Sequence, residues 1–338
     1  LFVRKYLLKK KASFATGSKF NKKFYAKSDK PFFEIQIKNN TRDCNIFREN
    51  EEIKFNFLGD KEFFVFGIAP LIEPYNQKNI NGWTLEIFLV KKDELLEKFV
   101  INLPFNEANR TSSYVYAADD GWVDLKLDLS KYKNVELDIK LTASLVRAKE
   151  SRYIEDFALS FPQFIEKNSR PKNIILLSIE SLSDFEFLSK EYKVDNLKNI
   201  NELIDHSNVY HDVISPVDAT LTYAASMISG LLPSQHGIGD YSIGSDAFNN
   251  KTLNEKLMTL PRKLKEEGYL NFFLGTAGRF SSKIGFADGF DDHFQVNSNF
   301  DMNRPSINTL INGLDSFKQF NKFFFFHLDH LHEPFLSF

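Results

Sequence analysis

The chain has 338 residues, which permits two domains, and its 43% hydrophobic content is enough to fill real cores. A formal net charge of -2 gives no electrostatic case for nucleic acid, and no long basic run points to another polyanion. The single cysteine, Cys44, excludes an intramolecular disulfide framework and a thiolate metal cluster while leaving the compartment open.

Residues 1–30 read as a basic tail, broken by charge too often for a signal-peptide core or a membrane span. A solvated tail is the expectation, with peripheral contact to anionic lipid as the alternative. The chain starts at Leu1 and not at methionine, which suggests a fragment or a processed form, so cytoplasmic and cell-envelope locations both stay open.

Residues 31–162 read as a β-sandwich. Period-two alternation at 33–37, 53–57, 85–89, 123–127 and 135–139, separated by Asn, Asp, Gly and Pro, argues antiparallel strands with one buried face. Only 93–99 looks locally helical. The stretch Gly121-Trp122-Val123-Asp124-Leu125-Lys126-Leu127, followed by Leu141-Thr142-Ala143-Ser144, resembles the closing strands of galactose-binding-like jelly rolls. Trp83, Trp122 and Tyr114 could stack on a sugar, although a tryptophan in such a sandwich is more often core. Residues 163–170, polar and proline-bounded, read as the linker.

Residues 171–338 change character. The apolar run Ile174-Ile175-Leu176-Leu177 reads as a parallel strand buried on both faces, and it stops at an acid, Glu180. Ligands of open α/β sheets gather at strand carboxyl ends, which makes Glu180 a ligand candidate. Helical spacing recurs at 195–204, a small-residue helix is expected around 224–228 with Gly230 as its C-cap, and Pro233 stops it. Thr220 falls near that helix's N-terminus, where its hydroxyl serves either as a cap, the commoner role, or as a nucleophile. A further helix at 260–268 and a strand at 270–274 complete an alternation that implies crossover connections.

These residues resemble the sulfatase branch of the alkaline phosphatase superfamily. The resemblance rests on five stretches in the family's order: the strand ending at Glu180, the run Ala225-Ser226-Met227-Ile228-Ser229-Gly230-Leu231-Leu232-Pro233-Ser234-Gln235-His236-Gly237, the helix at 260–268, Gly289-Phe290-Asp291, and His332-Glu333-Pro334-Phe335. It implies an α/β/α sandwich, truncated at its C-terminus because the family's late Asp-His pair lies on a later strand; Asp329-His330 precedes the His-x-Pro-aromatic element and does not match it. It also implies Glu180 as a ligand of a divalent cation (Mn, Mg, Ca or Zn), Thr220 as the attacking group on a phosphate or sulfate ester, and His332 as a contact to the transferred group. The family's Gly-Lys-x-His element is missing, which leaves Arg279 and Lys283 as substitute anion contacts. Nor does the chain carry Cys/Ser-x-Pro-x-Arg, so formylglycine is excluded and direct attack by threonine, as in related phospho-group transferases, is implied. The implied function is a metal-dependent hydrolase or transferase with a carbohydrate- or envelope-linked substrate. The alternative is an inactive relative that binds glycan or protein.

Overall fold

The computed structural model describes residues 20–37, 40–72, 79–104, 122–149, 154–180, 198–210, 213–217, 219–238, 252–276, 280, 282–296, 314–315 and 317–328. Nine strands build the first half: β1 (Phe32–Ile37), β2 (Asn40–Arg48), β3 (Ile53–Phe57), β4 (Phe63–Leu71), β5 (Ile80–Lys91), β6 (Glu94–Pro104), β7 (Val123–Asp128), β8 (Leu137–Arg147) and β9 (Asp156–Ile165). Strands β3, β8, β5 and β6 form an antiparallel sheet in that order, and the core between it and β2, β9, β4 and β7 holds Phe47, Phe55, Phe64, Trp83, Leu85, Ile139 and Phe157. Alternation drives this arrangement: Ile53, Phe55 and Phe57 of β3 are buried while Lys54 and Asn56 face water.

Three sequence readings change here. Residues 94–99 form part of β6, not a helix, because Lys92 and Asp93 both take positive φ (49° and 68°) and close a two-residue hairpin between Lys91 and Glu94. The alternate residues Phe99, Ile101 and Leu103 then pack on the core, and this tertiary contact outweighs local helix spacing. Phe20, Asn21, Tyr25 and Ala26, read as the end of a solvated tail, are buried. Strand β9 runs on through Pro162 to Ile165; it tolerates the proline where its register with β4 shifts between Val65 and Gly67.

The second half contains β10 (Asn173–Ile179), α1 (Lys198–Asp205), α2 (Thr220–Ser229), α3 (Pro233–His236), α4 (Leu260–Glu266), β11 (Leu270–Thr276), β12 (Asp292–Val296) and β13 (Lys322–Leu328). Strands β10, β13, β11 and β12 are parallel neighbours in that order. Leu221, Ala224, Ala225 and Ile228 of α2 pack on one face against Phe273, Phe323 and Phe325. Among the described residues the opposite face, with Leu270, Phe272 and Phe324, is covered by Phe317, Phe320 and the β4 residues Phe63 and Val65, not by a second helical layer. Among the described residues strand β10, expected to be buried on both faces, ends the sheet beside β13; Ile175 is 52% and Leu177 50% exposed. No helix among the described residues is long and apolar enough to cross a membrane.

One sheet runs through both halves. Asn40 and Thr41 of β2 pair with β1 on one edge and with β12 on the other, and the same second edge carries β9 further along at 44–48. Strand β2 thus outruns β9 and seats its free end on the parallel strands. Buried charges reinforce the seam. Arg42 of β2 donates to Asp124 Oδ1 at 2.5 Å and to Asp292 Oδ2 at 2.7 Å, between the rings of Trp122 and Phe161. Gly67 makes room for it, since a Cβ there would lie 2.5 Å from Arg42 Nη1. Next along the chain, Asp291 accepts from Gln163 of β9, from the Asn271 N–H and from Lys265 of α4.

Candidate functional site

Glu180 follows β10 directly, and its N–H donates to the Leu328 carbonyl at the end of β13 at 2.7 Å. The acid therefore sits where two parallel strands end, on the rim expected from the sequence. Thr220 is the first residue of α2, and the helix N-cap is Ala219, which offers no side-chain cap. Thr220 thus stands one position inside the N-cap, and its Oγ1 donates a short hydrogen bond to Glu180 Oε1. The first turn of an α-helix leaves backbone N–H groups without intrahelical acceptors, and the positive end of the helix dipole favours an anion beside it. A hydroxyl, a carboxylate and the end of a ten-residue helix thus meet at one point.

The structure adds a residue that the sequence reading did not single out. His327, at the penultimate position of β13, places Nε2 3.1 Å from Glu180 Oε2 and Nδ1 3.2 Å from Ser178 Oγ. An ionised carboxylate only accepts, so Nε2 carries a proton towards Glu180, and the serine hydroxyl, which can donate or accept, partners Nδ1. The imidazole is buried, with its ring centroid 4.5 Å from that of Phe280. A signal for it existed in the sequence. Each of the two paired strands is an apolar run broken by one polar residue near its end, Ser178 after Leu177 and His327 after Phe326, and the two fall in register.

A second histidine pair looks catalytic and is not. Ser226 Oγ lies 3.0 Å from His236 Nε2, but His236 Nδ1 accepts the Ile238 N–H at 3.1 Å. That acceptor role puts the proton on Nε2, which donates to the serine and leaves no base to activate it. Burial lowers the His236 pKa, consistent with a neutral ring. The pair instead ties α2 to α3, whose ends are closed by Gly230 and Gly237 at φ of 67° and 78°.

Oxygen donors suit hard divalent cations, and Glu180 with Thr220 offers a carboxylate and a hydroxyl at one place. Among the described residues no group of three or more His, Cys, Asp or Glu could hold a metal ion. Among the described residues Glu180 and Thr220 thus supply two oxygen donors of the hard kind such a cation takes, and not a complete ligand set. His332 and Arg279 lie outside the described residues, as does Tyr114. Trp83 and Trp122, the other sugar-stacking candidates, are 3% and 0% exposed, Trp83 in the core between the two sheets and Trp122 in a separate buried cluster with Ile35, Cys44, Ala69 and Ala158.

Residues 172–338 match the family model for sulfatases. A search of curated proteins returns no match. Among solved structures the chain is similar to a CBM51 module from Clostridium perfringens GH95 in complex with methyl-galactose, at 11% identity over 44% of this chain and 90% of that one, with a TM-score of 0.24. It is also similar to the CBM51-2 and INT domains of Clostridium perfringens ZmpB, at 15% identity over 46% of this chain and 30% of that one, TM-score 0.24. A third, the GH115 4-O-methyl-alpha-glucuronidase BtGH115A, is 13% identical over 37% of this chain and 14% of that one, TM-score 0.23. At such TM-scores the alignments do not specify this fold, which rests on its own strands.

Proposed function

We propose, from the premise that residues 172–338 form a sulfatase-family domain, that the protein is a hydrolase or transferase of phosphate or sulfate esters with Thr220 as its nucleophile. The observation that carries this reading is the hydrogen bond from Thr220 Oγ1 to Glu180 at the carboxyl end of β10. As Oγ1 attacks the phosphorus or sulfur, its proton passes by way of Glu180 Oε1 to the departing ester oxygen, which leaves as the alcohol, and the group is held on Oγ1 until water or an acceptor hydroxyl removes it. The N-terminal turn of α2 faces the negative charge that builds on the equatorial oxygens. A divalent cation held by Glu180 and Thr220 would lower the hydroxyl pKa and neutralise that charge. His332 and Arg279 are assigned to the transferred group by family resemblance, and the strands up to β9, which ends at Ile165, form the β-sandwich lobe beside this catalytic lobe.

The test is turnover by the Thr220→Ala and Thr220→Ser variants with added divalent metal, on phosphodiester, phosphomonoester and sulfate ester substrates in parallel. Carbohydrate-linked and glycerol-linked esters belong in each set. Thr220→Ala is expected to fold normally and lose turnover by orders of magnitude, while Thr220→Ser keeps part of it. Wild-type turnover in Thr220→Ala would rule out the nucleophile.

A further inference from the structure

The Glu180 carboxylate has two oxygens and therefore two faces to control. One meets Thr220, and the other meets His327. A carboxylate at a strand end turns about its side-chain torsions unless something fixes it, and a short lever of that kind loses function when it drifts by an ångström.

The imidazole is well placed to fix it, because three independent features hold the ring. Ser178 Oγ, on the neighbouring strand at the same register, lies 3.2 Å from Nδ1 and anchors that side of the ring while the carboxylate fixes the proton on Nε2. The Phe280 ring packs against one side at 4.5 Å. On the neighbouring strand β11, Gly275 leaves room where a Cβ would lie 3.2 Å from the His327 Cβ and 2.5 Å from the end of the Phe273 ring. A histidine in the core for packing alone needs none of the tautomer control.

We infer that His327 is the positioning residue of the site: the chain Ser178–His327–Glu180 locks the carboxylate so that Oε1 stays on Thr220 and the group is presented to a divalent cation in one orientation. This inference rests on the reading of Glu180 and Thr220 given above. Partners that orient a ligating group in this way typically govern metal affinity by 10–100-fold when removed.

The experiment measures Mn2+ and, separately, Zn2+ binding to the full chain by titration calorimetry, with thermal melts run on every variant to establish the folded fraction. His327→Gln keeps an N–H donor near the Nε2 position, whereas His327→Leu keeps the bulk and removes the donor. The expected result is metal affinity within about threefold of wild type for His327→Gln and roughly 10–100-fold weaker for folded His327→Leu. Ser178→Ala, which removes the hydrogen bond at Nδ1 and leaves the core filled, is expected to weaken binding by about threefold to tenfold. It carries the test by itself if His327→Leu does not fold. Glu180→Gln is the control for the underlying reading and should abolish binding. Unchanged metal affinity in Glu180→Gln, or no binding by wild type, overturns the cation at Glu180 and the inference with it. Lost binding in Glu180→Gln, combined with wild-type affinity in Ser178→Ala and in whichever His327 variants fold, leaves that reading standing and overturns the positioning role alone.

Discussion

The seam between the two halves makes a quantitative prediction through Arg42. Its guanidinium is fully buried and divides its donors between Asp124, in the sandwich, and Asp292, at the start of β12. Asp292→Asn preserves shape and removes one charge-assisted hydrogen bond, so it should cost about 1.5–3 kcal/mol. Arg42 keeps its two bonds to Asp124 and its contacts with Trp122 and Phe161, which holds the loss below that of a fully orphaned charge. Arg42→Met is the harsher change. It strands two buried carboxylates and should cost about 3–5 kcal/mol. Burial pushes the Asp124 carboxyl above its usual range while Arg42 opposes the shift, so Asp124→Asn, which leaves one acid on the guanidinium, should cost less than Arg42→Met. The assay is urea unfolding followed by tryptophan fluorescence and by far-ultraviolet circular dichroism. Both tryptophans, Trp83 and Trp122, lie in the sandwich, whereas Asp292 lies across the seam. If one sheet unites the halves, Asp292→Asn shifts the tryptophan transition to lower urea by the full stability loss, and the two probes coincide. A tryptophan transition that ignores Asp292→Asn, or wild-type probes that separate, would refute the coupling.

Three further predictions follow from local geometry. Gly275→Ala should destabilise by about 1–3 kcal/mol, because its methyl meets the Phe273 ring, and should weaken metal binding by displacing His327; thermal melts and calorimetry on one preparation check both. Burial depresses His293 from 6.5 to about 3, so the folded protein excludes a proton that the unfolded chain binds between those values. Stability from this group is complete above pH 6.5 and falls as pH drops towards 3, by roughly 2 kcal/mol at pH 5; His293→Phe should flatten that part of a pH series of urea midpoints, and an unchanged slope would remove His293 as its cause. Replacing Lys92-Asp93 with Asn-Gly should raise stability by about 1 kcal/mol, since both positions take positive φ in a hairpin; a drop in the urea midpoint would instead favour a helix there.

The strand ending at Glu180, the helix opening at Thr220, and the alternation of β3 and β8 were legible in the residues, because periodicity and capping are local and each residue's partners lie a few positions away. Family resemblance added roles for Glu180 and Thr220 that no local pattern supplies. Strand β2 was not legible: Asn40-Thr41-Arg42-Asp43-Cys44-Asn45 is too polar for an ordinary buried strand, and its Arg42 is met by Asp124 and Asp292, 82 and 250 positions away. His327 escaped notice for the same reason, since a lone histidine in a phenylalanine-rich strand carries no meaning until Ser178 and Glu180 come alongside from about 150 residues earlier. Which acid meets Thr220 was decided in the same way. Local spacing placed the hydroxyl at the helix end, and the sheet brought the Glu180 carboxylate to it as an acceptor for its proton. Short-range order is written in the period of the chain, whereas the pairing of buried charges depends on which strands become neighbours, and that only the tertiary structure decides.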